Sequence, residues 1–267
     1  MPQRVRQVFT RWRVAIDTAV IVAVIVVVRL VVDTFSLDFI TLSPLFTSVV
    51  AGGLFVMGII VAGTLADYKE SERMPAEITA ALANIHEDCI GMKASKEAFD
   101  LSRLRSALGD VVTTFRQDLA DASSRKCLAA IDQLSQSFME LERLDVPANY
   151  IVRLRQEQGT IRKAMLRVYQ IQRTEFLPSA YILLQTVVGL IIAALEFTKL
   201  DPLYESIAIL IVISYFFVYL LKLLKIIDTP FRVDEHTKDD VSLFLLNEFA
   251  ERVAGANHKD VGTTAAS

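Results

Sequence analysis

The sequence predicts an all-α membrane protein with four transmembrane helices and a cytosolic helical module between the second and the third. Three observations predict it. The chain is 53% hydrophobic with a mean hydropathy of +0.41, too apolar for an ordinary soluble domain, although 22% of its residues are charged. That charge is segregated, which implies membrane spans joined to a soluble module. Four apolar runs, at about 1.5 Å per residue, are each long enough to cross a hydrocarbon core of roughly 30 Å.

Residues 1–13 form a basic cytosolic segment, with Arg4, Arg6, Arg11 and Arg13. Span one follows from about Val14 to Val32, with its uninterrupted core at Thr18 to Val28. Basic residues ahead of an apolar core also describe a signal peptide. Here Asp17 and Arg29 interrupt the core, no small-residue cleavage site follows, and a second span comes at once, so a retained helix is expected. Arg29 and Asp33 stand four apart on one helical face near the far interface, where the arginine can snorkel and pair with the aspartate as an anchor. The functional reading of Arg29 is positive charge in an outer vestibule.

Span two, Leu45 to Ala66, is the stretch around which the chain is organised. It carries Gly52, Gly53, Gly58 and Gly63 with Ala51 and Ala62. Lipid tails are as apolar as leucine, so a helix gains little by hiding leucine from them, whereas small residues let backbones approach or leave space along an axis. This helix is expected to face protein or a pore. Its exit, DYKESER, reads as helix leaving the bilayer until Pro75 starts a new helix at a first-turn position.

Residues 67–175 form the cytosolic module. Leu101, Leu104, Leu108, Val111, Phe115 and Leu119 recur at three and four, as do Leu128, Ile131, Leu134, Phe138 and Leu141 after a break at Ala122 to Ser124. These stripes read as core. Asp145 to Pro147 end that helix, and Ala148 opens another to Glu175, with arginines that read first as a solvated, salt-bridged face and otherwise as contacts to lipid phosphates or the lining of an anion path. Spans three and four fill residues 176–225 as an antiparallel hairpin, from about Phe176 to Phe197 and from Leu203 to Leu224. Residues 226–253 read as a turn and an amphipathic helix from about Asp239 to Arg252, and 254–267 as a disordered tail.

Basic residues set the orientation. Arg4 to Arg13, Lys69, Arg73, Arg167, Arg173, Lys222 and Lys225 share one side of a four-span chain, against Arg29 and Lys199 on the other. Both termini and residues 67–175 are therefore expected in the cytoplasm, with the spans in the cell membrane.

Chemistry is sparse. No HExxH, GxSxG, phosphate loop or kinase signature is present, so no enzyme is expected, and a net charge of −3 does not favour nucleic acid. Cys89 and Cys127 match no metal or redox spacing, and no cofactor is expected. His86, Glu87, Asp88 and Cys89 are adjacent and fan out, which reads as a solvated helix face. Asp234, Glu235, Asp239 and Asp240 form an acidic patch able to hold a hard cation such as calcium through oxygen ligands, diluted by Arg232 and Lys238.

The order of spans, the segment LADYKESERMP after span two, and IIDTPFRVDEHTKDD after span four together resemble the bestrophin family and its bestrophin-like relatives. The resemblance covers Ser43 to Glu77 and Phe176 to Leu246; the middle module matches only in being helical. It implies a pentameric anion channel, chloride among its permeant ions, whose second-span helices line a narrow hydrophobic neck. Aligning the DYKESER exit puts Thr47, Ala51 and Phe55 at that neck, four apart and so on one face. Only Phe55 of the three is large and apolar, which departs from the family and implies a wider or differently gated constriction; read on its own, Phe55 is also an ordinary packing or lipid-facing aromatic. The acidic patch is sparser than the bestrophin calcium clasp. The expected function is thus a homo-oligomeric anion channel whose partners are its own copies, membrane lipid and small inorganic ions. The alternatives are a non-conducting scaffold whose cytosolic helices bind a partner, and a small-solute transporter, which lacks a visible inverted repeat.

Overall fold

The structure, a computed structural model, describes residues 3–41, 43–174, 178–199, 202–231 and 240–264. In chain order the elements are α1 (Gln3–Thr34), β1 (Ile40–Thr41), α2 (Pro44–Ser95), α3 (Leu101–Ala120) and α4 (Arg125–Arg143). They continue with α5 (Ala148–Arg173), α6 (Pro178–Glu196), β2 (Thr198–Lys199), α7 (Leu203–Asp228) and α8 (Phe244–Thr264). Four apolar stretches, in α1, α2, α6 and α7, are long and apolar enough to cross a membrane.

The chain divides into two compact units. One takes the described residues of 1–68, 175–229 and 236–240, the other those of 69–174, 230–235 and 241–267.

In the first unit α6 and α7 form the hairpin that the short connection predicts, and α1 packs against both. Met57 of α2 joins Leu184, Val188, Ile191 and Leu195 of α6 and Leu210, Phe217 and Leu224 of α7 in a buried apolar cluster. The loops at one end of the helices are tied together by a short parallel pairing, Ile40 with Thr198 and Thr41 with Lys199. Phe39 and Phe197 stack beside it with ring centroids 5.3 Å apart. Pro178 opens α6, where its missing N–H is one that a helix leaves unpaired anyway.

In the second unit the heptad-like stripes are core. Leu104, Leu108, Val111 and Phe115 of α3, Ile131, Leu134 and Phe138 of α4, and Leu154, Ile161, Met165 and Val168 of α5 are all buried. Ile78, Leu82 and Ile85 of α2 and Leu246, Phe249 and Val253 of α8 are buried as well. Asp100 caps α3, its carboxylate accepting the Arg103 N–H at 3.0 Å. The turns after α3 and α4 place Ala122 and Asp145 at φ 47° and 54°, the left-handed region that stops a helix and that aspartate enters more readily than alanine.

Three expectations change. Pro75 starts no helix; it lies inside α2, which runs unbroken from Pro44 to Ser95. Proline costs the helix one N–H bond, but strong helix formers flank it, and Met74, Ile78 and Leu82 are buried on either side, so core burial offsets the loss. The final helix starts later than expected, at Phe244, and runs to Thr264 through much of the segment expected to be disordered. Its periodic apolar face ends at Val253, which is why the sequence pattern stopped there. The supposed solvated face at 86–89 is mostly turned inward: His86 and Cys89 are buried and Asp88 is half-buried and paired with Arg153 at 3.0 Å.

Candidate functional site

Thr47, Ala51 and Phe55 stand in the apolar half of α2, where about 3.6 residues per turn carries each four-residue step nearly back to the same side. All three are exposed, Phe55 at 70%. Gly58 and Ala62 continue their line and are exposed too. Thr47 turns its hydroxyl back into the helix, donating to the Pro44 carbonyl at 2.9 Å. The line therefore offers one self-satisfied hydroxyl, one aromatic ring and otherwise small apolar surface. Nothing on it is a strong ligand for an ion.

A different face of the same helix is packed. A Cβ built on Gly53 would lie 2.9 Å from Ile191 Cδ1 and 3.3 Å from Val187 Cγ1, so this glycine is what lets α2 approach α6. Met57 and Thr64 are buried on the same side, and Thr64 donates its hydroxyl to the Ile60 carbonyl at 3.0 Å. Gly52 and Gly58, by contrast, have nothing within 4 Å of where a Cβ would be. Gly53 is thus used for packing within the chain, while Gly52 and Gly58 face open space among the described residues.

Arg29 takes a partner that its own helix does not supply. It is 1% exposed within the chain, and its Nη1 donates to the Glu196 carbonyl oxygen at 2.5 Å. Sequence spacing offered Asp33 as its neighbour because both lie on α1. The partner it takes is 167 positions away, which no local pattern reveals. Glu196 is itself 6% exposed. Of the acidic patch, Asp234, Glu235 and Asp239 lie outside the described residues, and Asp240 is buried. Among the described residues no group of three or more His, Cys, Asp or Glu side chains is disposed to hold a metal ion.

Solved structures share this arrangement of elements almost end to end. A bacterial bestrophin homologue from Klebsiella pneumoniae superposes with a TM-score of 0.73 at 14% identity, covering 92% of this chain and 98% of that one. The fold is bestrophin-like. A variant of the same bestrophin homologue gives a TM-score of 0.76 at 13% identity over 88% of this chain and 97% of its own. A structure described as a variant of a membrane protein gives 0.76 at 14% identity over the same shares. No protein-family model and no curated protein matches the sequence. The bestrophin-like fold is thus carried by the order and packing of its helices at an identity too low for sequence comparison to register.

Proposed function

We propose that this chain is one subunit of a homo-oligomeric ion channel, pentameric and anion-permeable, whose pore is lined by α2. The observation that carries the reading is the exposed line of Thr47, Ala51, Phe55 and Gly58 in a bestrophin-like fold. A lone four-span chain encloses a solvated path poorly, whereas a ring of identical subunits encloses one with its innermost helices. Small residues on the innermost helix leave room for ions, and Phe55 supplies the one bulky apolar side chain that can narrow the path. Such a constriction acts by dewetting rather than by ligation, which suits a line that offers no strong ligand.

Arg29 is a positioning residue in this reading, holding the end of α6. The orientation rests on the basic residues near the span ends: Arg29 and Lys199 at one end, against Arg4 to Arg13, Lys69, Arg73, Arg167, Arg173, Lys222 and Lys225 at the other. That asymmetry supports a cell-membrane protein with both termini and residues 67–175 in the cytoplasm. The test is planar-bilayer recording of purified oligomer in an anion gradient. A reversal potential following the anion supports the full reading, one following the cation removes anion permeability from it, and no conductance across varied pH and voltage removes the channel.

A further inference from the structure

Helix α8 places three buried apolar residues, Leu246, Phe249 and Val253, in the core of the second unit. Arg116 of α3 donates to Asn247 Oδ1 at 3.2 Å on the surface. Beside that bond a groove of about 440 Å³ opens between Val112 and Arg116 of α3 and Asn247 and Glu251 of α8. The seam between α3 and α8 is therefore incompletely filled, and what lies at its buried end decides how firmly α8 stays.

At that end is His86 of α2, 7% exposed. Arg105 of α3, also 7% exposed, donates from Nε to His86 Nε2 at 3.2 Å. The edge of the imidazole meets the ring of Phe249 of α8, with centroids 6.4 Å apart and planes at 89°. Arg252 of α8 lies over the same Phe249 ring, its guanidinium carbon 5.5 Å from the centroid. A guanidinium has donors only and stays charged at any pH a protein meets. The bond from Arg105 can therefore exist only while His86 Nε2 carries a lone pair, that is, while the imidazole is neutral.

We infer that His86 is a proton-sensitive latch for helix α8: protonation of the imidazole breaks the Arg105 bond, sets two buried cations against each other, and loosens α8 from α2 and α3. Among the described residues, the charged groups that act on His86 are Arg105 from α3, Arg252 from α8 and Glu87 from its own helix. Burial first, then the charges of Arg105 and Arg252, hold the imidazole below its ordinary value of 6.5, and Glu87 opposes them. The neutral form is thus the one the docked state favours. Its contribution is complete above 6.5 and is lost as pH falls below that value toward the depressed docked-state one. Histidine suits this task because its ordinary value lies closest to physiological pH. The inference stands on the second unit alone and does not depend on the channel reading.

The test is hydrogen exchange of the full-length protein in nanodiscs from about pH 7.5 to about pH 5, corrected for the intrinsic pH dependence of exchange. Loss of one proton-linked contact changes an opening equilibrium by up to about tenfold per pH unit. The amides of Phe244 to Arg252 are expected to lose protection several-fold more than those of α4 as pH falls through this window, and His86→Gln, whose amide oxygen accepts from Arg105 at every pH, is expected to abolish the difference. If His86→Gln does not fold, Arg105→Gln serves, because it removes the opposing cation and should blunt the acid loss. Equal acid loosening of α8 in wild type and either variant overturns the latch, as does protection of α8 that does not change with pH. Exchange reads α8 directly, so the outcome is the same whether or not the oligomer conducts.

Discussion

Arg29 in α1 and Glu196 at the end of α6 are joined by a hydrogen bond of 2.5 Å from the guanidinium Nη1 to the main-chain carbonyl, with both residues almost wholly buried. The last carbonyls of a helix lack partners within it, and the helix dipole leaves that end partly negative. Arg29 meets both needs at once. It fastens the end of α6 just where the β1–β2 pairing joins the two loops.

Replacing Arg29 by methionine removes that fastening and leaves the Glu196 carboxylate buried without its neighbouring cation. A hydrogen bond to a charged group contributes about 2 kcal/mol, so a loss of that order is expected in thermal unfolding of the purified protein. Arg29→Lys should recover only part, since an ammonium on a shorter stem cannot reproduce the guanidinium fork. Unchanged stability in Arg29→Met would show that the bond does not hold α6.

Glycines only five residues apart in α2 should behave differently. Gly53→Leu drives a side chain into Ile191 and Val187, and overpacking of this kind costs about 1–3 kcal/mol. Its expected signature is a lower yield of folded protein. A Cβ at Gly58 has nothing within 4 Å among the described residues, so Gly58→Leu should leave yield intact while conductance falls, because the added bulk lies on the line of Phe55. Equal loss of yield in both would contradict the division of α2 into a packed and an open face.

Burial pushes the Cys89 thiol up to about 12 and the Cys127 thiol up to about 11. The thiolate is the reactive species, and each sulfur is enclosed in the second unit. Neither should react with a maleimide in the native protein at neutral pH, and both should react once it is denatured. Rapid native labelling of either would mean that the helical unit opens far more readily than its core packing implies.

Much of the fold is legible in the sequence because its elements announce themselves locally. The stripes from Leu101 to Leu119 and from Leu128 to Leu141 have the spacing of buried helix faces, and the structure buries most of both. The uncharged run from Leu45 to Ala66 has the length of a span. What escapes is whatever depends on distant partners. Nothing near Arg29 points to Glu196, and nothing near His86 points to Arg105 or Phe249: local spacing offers Arg29 only Asp33, as an interfacial anchor or a vestibule charge, and offers His86 only a solvated helix face. Pro75 misled for a related reason: its local rule is a helix start, and the burial of Met74 and Ile78 overrides it. The candidate site lies between these cases. Its spacing on one face is local and readable, while which small residues pack and which stay open needed the contacts of Gly53, Gly52 and Gly58.

The central claim, that Phe55 and its line on α2 border an ion path in a ring of subunits, is tested most directly by single-particle imaging of the oligomer in nanodiscs, at a resolution that traces α2. The account predicts a five-fold ring with Thr47, Ala51 and Phe55 turned toward a continuous axial opening. A dimer, or a ring whose centre is closed by lipid or side chains with α2 on its outside, would contradict it.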